Sequence, residues 1–249
     1  MTWRDAVLVV VSFAAGAQNA LAGGGSFLTF PALLFAGLDP RAANITSTIA
    51  LFPGQVTTGL AGRSLVTGAA GLRFATLFGI SLIGGALGAV LLLVTPPGVF
   101  ARMVPFLVLF ATIVFAWGSF GRRPDAAMAS RLGVRGAMAA QFLISIYGGY
   151  FGGGIGILML AALTATGVAV RQAGATKNVL AGVMNAAAVV VFLCRAQIAW
   201  GLVLYVAIAA VLGGQVGVLM LRRINERILR GGVVLVGLAL TIGLFIDMR

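Results

Sequence analysis

Three consecutive glycines occur twice in the chain, as Gly23-Gly24-Gly25 ahead of Ser26 and as Gly152-Gly153-Gly154 ahead of Ile155. Each triplet interrupts an apolar segment, and the run after it should restart as helix. A restarting helix leaves its first N–H groups without intrahelical acceptors and presents the positive end of its dipole. Glycine has no β-carbon, so a ligand can approach its backbone closely. The chemistry on offer is recognition of a small anion rather than bond breaking. Gly23, Gly24, Gly25 and Ser26 on one side, and Gly152, Gly153 and Gly154 on the other, are the expected cradle. Isolated glycines such as Gly59 and Gly84 read instead as positions of close helix packing.

A second set of polar residues lies downstream of each triplet. Thr48 and Gln55 are seven residues apart, as are Asn178 and Asn185, and the two pairs are related by an offset of 130. Seven residues is two turns, so each pair shares a helix face. Amides at membrane depth face protein or a water-filled cavity. They either line a binding site or hydrogen-bond neighbouring helices. Lys177 stands about one turn inside its helix. It either pairs with an anion or snorkels to the interface. Thr46, Ser47 and Thr176 offer further hydroxyls. Gln18, Asn19, Gln141, Tyr147 and Tyr150 flank the triplets and are weaker candidates for lining.

Catalytic groups are scarce. There is no histidine, and Cys194 is the single cysteine, so an internal disulfide is excluded. The five carboxylates, Asp5, Asp39, Asp125, Glu226 and Asp247, fall at expected helix ends or loops. No metal site, no cofactor and no enzyme activity are expected. A buried carboxylate or histidine relay for proton coupling is not visible either.

These residues must be positioned by helices in a membrane. The chain has 249 residues, 61% hydrophobic and 9% charged, with a mean hydropathy of +1.11. That composition fits an all-α polytopic membrane protein and no soluble domain. The net charge of +12 lies in short gaps between apolar runs. It reads as loop charge and not as a nucleic-acid surface. The N-terminus mimics a signal peptide, but the same pattern recurs at 137–154, so it reads as a structural unit.

Apolar segments fall at about 6–36, 43–62, 74–95, 99–119, 136–166, 172–193, 198–221 and 231–247. The halves are a repeat: residues 1–120 form the first, 121–135 a polar loop, and 136–249 the second. Gly23 to Gly25 match Gly152 to Gly154, Arg41 matches Arg171, Thr46 matches Thr176, and Gly84-Gly85 matches Gly213-Gly214. Segments 6–36 and 136–166 have 31 residues each. As straight helix each would run about 46 Å, too long for one span and too short for two. Each is expected to be a glycine-tipped pair of half-helices, re-entrant or broken, followed by three transmembrane helices.

Loop charge favours the re-entrant form. If both long segments return to their own side, twelve basic residues lie on one side and five on the other. If all eight segments span, the division is nine to eight. Only the first obeys the positive-inside rule. It places both termini in the periplasm and makes the halves an inverted repeat, with glycine tips meeting at the midplane.

The run Gly23 to Leu33 with Ala42-Ala43-Asn44-Ile45-Thr46-Ser47-Thr48 resembles the sulfite exporter TauE/SafE family. So do its counterparts, Gly149 to Gly156 and Ala175-Thr176-Lys177-Asn178. The resemblance covers nearly the whole chain. Pro31 has Leu160 as its counterpart, so the tips need not be equivalent. The resemblance implies a bacterial inner-membrane transporter of sulfur-containing anions. The reading is a secondary transporter, in the export direction, of sulfite, thiosulfate or an organosulfonate. A passive anion channel and a transporter of an organic carboxylate are the alternatives. The expected partners are the anion and the lipid bilayer, and the sequence permits a homodimer.

Overall fold

The computed structural model describes residues 3–21, 24–120, 133–220 and 226–247. Gly23 and residues 121–132 of the expected polar loop lie outside them. The described residues form ten α-helices in two series of five. The first series is α1 (Trp3–Leu21), α2 (Ser26–Phe35), α3 (Pro40–Ala61), α4 (Phe74–Val94) and α5 (Pro97–Phe120). The second is α6 (Val134–Tyr150), α7 (Ile155–Ala165), α8 (Val170–Arg195), α9 (Trp200–Met220) and α10 (Glu226–Asp247). The described residues contain no strand beyond an isolated bridge between Ala69 and Leu72.

The breaks fall at the glycine triplets, and the new helices start at Ser26 and Ile155. Gly24, Gly152 and Gly154 hold φ of 85°, 82° and 75°. A residue with a β-carbon is strained there by about 1–2 kcal/mol. The short helices also end alike. Gly37 and Gly167 take left-handed conformations, and the N–H groups beyond them, of Leu38 and Val168, return to the carbonyls of Leu33 and Leu163. This C-terminal cap satisfies carbonyls that would otherwise be orphaned. The helix after the first cap starts on Asp39, whose carboxylate accepts from the N–H groups of Arg41 and Ala42 while Pro40 takes the first turn.

At the first triplet the chain reverses. A β-carbon built on Gly25 would lie 2.7 Å from the carbonyl oxygen of Ala15. At the far end of the same pair, the rings of Trp3 and Phe35 are 5.4 Å apart. Helix α2 therefore runs back along α1. The second pair closes the same way: Ile155 returns to Gly148 and shares a core cluster with Ile144 and Met159.

Packing between the series is reciprocal. Helix α1 lies along α9 as α6 lies along α4, α3 crosses α8, and α5 meets α10. Small residues make these approaches possible. Gly16 sits against Ala210 and Gly213 against the backbone of Phe13. Their counterparts are Ser145, which a β-carbon on Gly84 would approach to 2.6 Å, and Phe142, whose carbonyl it would approach to 3.1 Å. Gly84 is thus a packing position, as expected.

Helices α4, α5 and α8 are long and apolar enough to cross a membrane. Their outer faces are apolar and uncovered: on α5, Phe106, Ile113 and Trp117 are each more than half exposed. Apolar surface on this scale suits lipid contact. Helix α3 is as long but carries Asn44, Thr46, Ser47, Thr48, Gln55, Thr57 and Thr58. Polar side chains inside a span face protein or a cavity, and these do.

Candidate functional site

A cavity of about 180 Å³ lies where the two glycine breaks meet α3, α5 and α8. The first break contributes Gly24 and Ser26 to its wall, and the second contributes Gly152, Gly154, Ile155 and Gly156. Helix α3 adds Asn44, Ser47, Thr48, Leu51, Gln55 and Thr58, and α8 adds Lys177, Asn178, Ala181 and Asn185. Ser47 and Lys177, Thr48 and Asn178, Leu51 and Ala181, and Gln55 and Asn185 are all pairs at the offset of 130. One face of α3 thus opposes the corresponding face of α8.

Hydrogen bonding inside the cavity is polarised. Lys177 Nζ donates to Asn178 Oδ1 at 2.9 Å. Asn185 Nδ2 donates to Gln55 Oε1 at 2.7 Å, joining the halves. Both amide oxygens are engaged, whereas no described residue accepts from Asn178 Nδ2 or Gln55 Nε2. The ammonium of Lys177 also keeps donors to spare. The N–H groups of Gly154, Ile155 and Gly156 find no backbone acceptor among the described residues. Among the described residues the wall contains one basic side chain, Lys177, and no carboxylate. Asn44 Oδ1 and Asn185 Oδ1 are amide acceptors left over, so the wall offers both kinds of hydrogen-bonding group, with its charge on the donor side at Lys177.

Neighbouring bonds hold the wall in place. Asn44 Nδ2 donates to the Tyr150 carbonyl at 2.9 Å, tying α3 to the second break. The Thr29 and Ser47 hydroxyls share a hydrogen bond of 2.6 Å, tying α2 to α3. Thr48 Oγ1 donates to the Asn44 carbonyl at 2.9 Å. The Tyr147 hydroxyl donates to the Gly153 carbonyl at 2.8 Å.

Of the residues expected from sequence, Gly24, Ser26, Thr48, Gln55, Gly152, Gly154, Lys177, Asn178 and Asn185 meet at this one cavity. Gly25 and Gly153 sit behind the wall. Gly25 packs on Ala15 and Asn19, and Gly153 packs between Phe151 and Ala111. Their part is to let the chain turn tightly. Gly23 lies outside the described residues.

Of the weaker candidates, Asn19 lines the cavity and Gln141 does not. Gln141 is buried and donates to Ser81 Oγ at 2.8 Å, joining α6 to α4. Thr176 Oγ1 accepts from the Thr67 N–H at 3.0 Å and holds the loop before α4. Sequence reasoning missed Asn44, Thr58, Phe115, Gly118 and Ser119 as wall residues. Asn44 and Thr58 share the α3 face with Thr48 and Gln55, so helical spacing could have found them. The α5 residues carried no such signal.

A family model described as sulfite exporter TauE/SafE matches residues 8–244. The chain belongs to the sulfite exporter TauE/SafE family. Among curated proteins it is 30% identical over 244 residues to a "Probable membrane transporter protein" of Haemophilus influenzae, covering 97% of this chain and 94% of the relative. It is 32% identical over 249 residues to "Probable membrane transporter protein ORF9" of a Sinorhizobium species, covering 97% and 92%. "Probable membrane transporter protein YfcA" of Escherichia coli is 25% identical over 245 residues, covering 97% and 89%. No solved structure matches. The TauE/SafE resemblance read from the glycine motifs therefore holds along nearly the full chain.

Proposed function

We propose that this protein is a secondary transporter of a small sulfur-containing oxyanion such as sulfite, thiosulfate or an organosulfonate, working as an exporter in the bacterial inner membrane. The observation that carries the reading is the composition of the wall: Lys177, Asn178 and Gln55 with spare amide donors, and Gly154, Ile155 and Gly156, whose N–H groups lack backbone acceptors, line one cavity that has no carboxylate among its described residues. The family and the names of the relatives support transport across a membrane.

The two series of helices form an inverted repeat in this reading, with both termini in the periplasm. Reciprocal packing of α1 on α9 and of α6 on α4 supports a two-fold plan. The anion sits between the breaks. Its oxygens accept from Lys177 Nζ, from the N–H groups of Gly154, Ile155 and Gly156, and from Ser26 and the amides. The charge is drawn to the second break, where the helix dipole and Lys177 add. Net affinity is modest, because removing a hydrated anion from water offsets much of the gain.

The test is flux into proteoliposomes with sulfite, thiosulfate, a small sulfonate, a small carboxylate and chloride offered separately. Saturable flux of one sulfur anion, lost in Gly153→Leu with the protein still folded, is the expected result. Saturable flux of the carboxylate alone would change the substrate class. Single-channel currents would replace the transporter with a channel.

A further inference from the structure

A second pocket, about 60 Å³, adjoins the central cavity and shares Asn19, Leu51 and Thr58 with it. It lies between α1, α3 and α9, where Gly16, Gly54 and Gly214 face one another and Gln215 adds an amide. The space exists because side chains are missing: a β-carbon on Gly54 would touch nothing within 4 Å, and one on Gly214 would come no nearer than 3.7 Å to Gly16.

The matching place in the other series lies between α6, α8 and α4. The offsets put Gly148 at the position of Asn19, Ala86 at that of Gln215, Ala188 at that of Thr58, and Met184 at that of Gly54. This place is filled. Met184 is fully buried, its sulfur packs against Gly148, and its backbone lies so close to Gly85 that a β-carbon there would be 2.7 Å from the Met184 Cα. Every polar group that faces the first pocket at these positions has an apolar or absent counterpart here. A reciprocal helix plan thus has one side chamber open and its equivalent shut.

We infer that the Gly54 pocket is the passage by which the anion reaches the central cavity in this state, and that Met184 is the plug of the equivalent passage from the other side. The inference rests on the transporter reading. The open passage is walled by glycines and apolar residues and carries the amides of Asn19 and Gln215 and the hydroxyls of Thr57 and Thr58, neutral groups that can relay an oxyanion without trapping it. Met184, unbranched and flexible, can swing aside at little cost. The two sides would then close by different means, a side chain on one and approach of glycine-faced helices on the other.

Thiol labelling tests this without any transport assay. In a Cys194→Ala background, single cysteines Thr58→Cys and Ala188→Cys are reconstituted in vesicles. A charged, membrane-impermeant methanethiosulfonate is presented to both faces. Accessibility governs the rate, so Thr58→Cys should label at least about tenfold faster than Ala188→Cys. Adding Met184→Ala should raise labelling of Ala188→Cys by about tenfold, and Met184→Leu, which keeps the volume, should not. Equal labelling of the two cysteines would overturn the one-sided passage. Unchanged labelling after Met184→Ala in a folded protein would remove Met184 as the plug. If Met184→Ala does not fold, Thr57→Cys, which lines the Gly54 pocket and not the central cavity, decides the passage: labelling at the rate of Thr58→Cys supports it, and no labelling overturns it. Labelling as expected with no flux of any anion would reject the transporter reading and the passage with it, whereas flux with equal labelling of the two cysteines would reject the passage alone.

Discussion

The two walls of the cavity share a backbone plan and differ in charge. Both have a helix restarting after a glycine break, and both have a facing helix with polar residues two turns apart. On the first wall the restart begins with Ser26, and the facing helix presents Ser47, Thr48 and Gln55. On the second the restart begins with Ile155, and the same positions hold Lys177, Asn178 and Asn185. Ser47 spends its hydroxyl on Thr29. Lys177 keeps donors for a ligand. A repeat can therefore supply two-fold geometry while the basic side chain at the cavity, Lys177, comes from one half only.

The largest effect should come from the breaks, which both walls need. Gly24→Leu forces a side chain onto a φ of 85° and 2.7 Å from the Phe115 ring. Gly153→Leu drives one to within 3.0 Å of Ala111. Each should lower flux by about 100-fold or more, since both clash in a packed site and Gly24→Leu adds backbone strain of about 1–2 kcal/mol. Size-exclusion chromatography would show whether the folded protein persists. If only one of the two variants lost transport, the walls would not be equivalent in their backbone role.

Charge comes next. Lys177→Met should weaken anion binding by about 10- to 100-fold, the worth of a charge-assisted hydrogen bond of 1.5–3 kcal/mol. Ser47→Ala should change it by about threefold at most, because that hydroxyl is already paired. Matching losses in a binding titration would erase the asymmetry between the walls.

The bond joining the walls ranks third. Asn185→Ala removes the donor to Gln55 Oε1 and should cost about tenfold in affinity. Cys194→Ala should be smallest. Cys194 is exposed on α8, and such surface changes stay within about 0.5 kcal/mol. The reverse order in thermal shift and binding assays would mean that the wrong face of α8 had been assigned.

Much of this arrangement was legible in the sequence. Three glycines in an over-long apolar run admit few outcomes but a break, and the restarts at Ser26 and Ile155 follow from where the glycines stop. The offset of 130 carried Thr48 to Asn178 and Gln55 to Asn185, and all four line the cavity. The contribution of α5 was hidden. Phe115, Gly118 and Ser119 reach the wall through packing of α5 beside the breaks, and an apolar helix in lipid has no hydrophobic stripe to show which face turns inward. Gln141 misled for a related reason. A buried amide between helices looks the same in sequence whether it meets a ligand or, as here, Ser81. The Gly54 and Met184 contrast was equally hidden, since it emerges only when the two halves are overlaid in space.

The most direct test of the account is equilibrium binding of sulfite to the purified protein and to Lys177→Met, at neutral pH and constant ionic strength, with chloride as competitor. Saturable sulfite binding that falls by about tenfold or more in the variant is predicted. Equal affinity in both proteins would contradict the assignment of the anion's charge to the second wall.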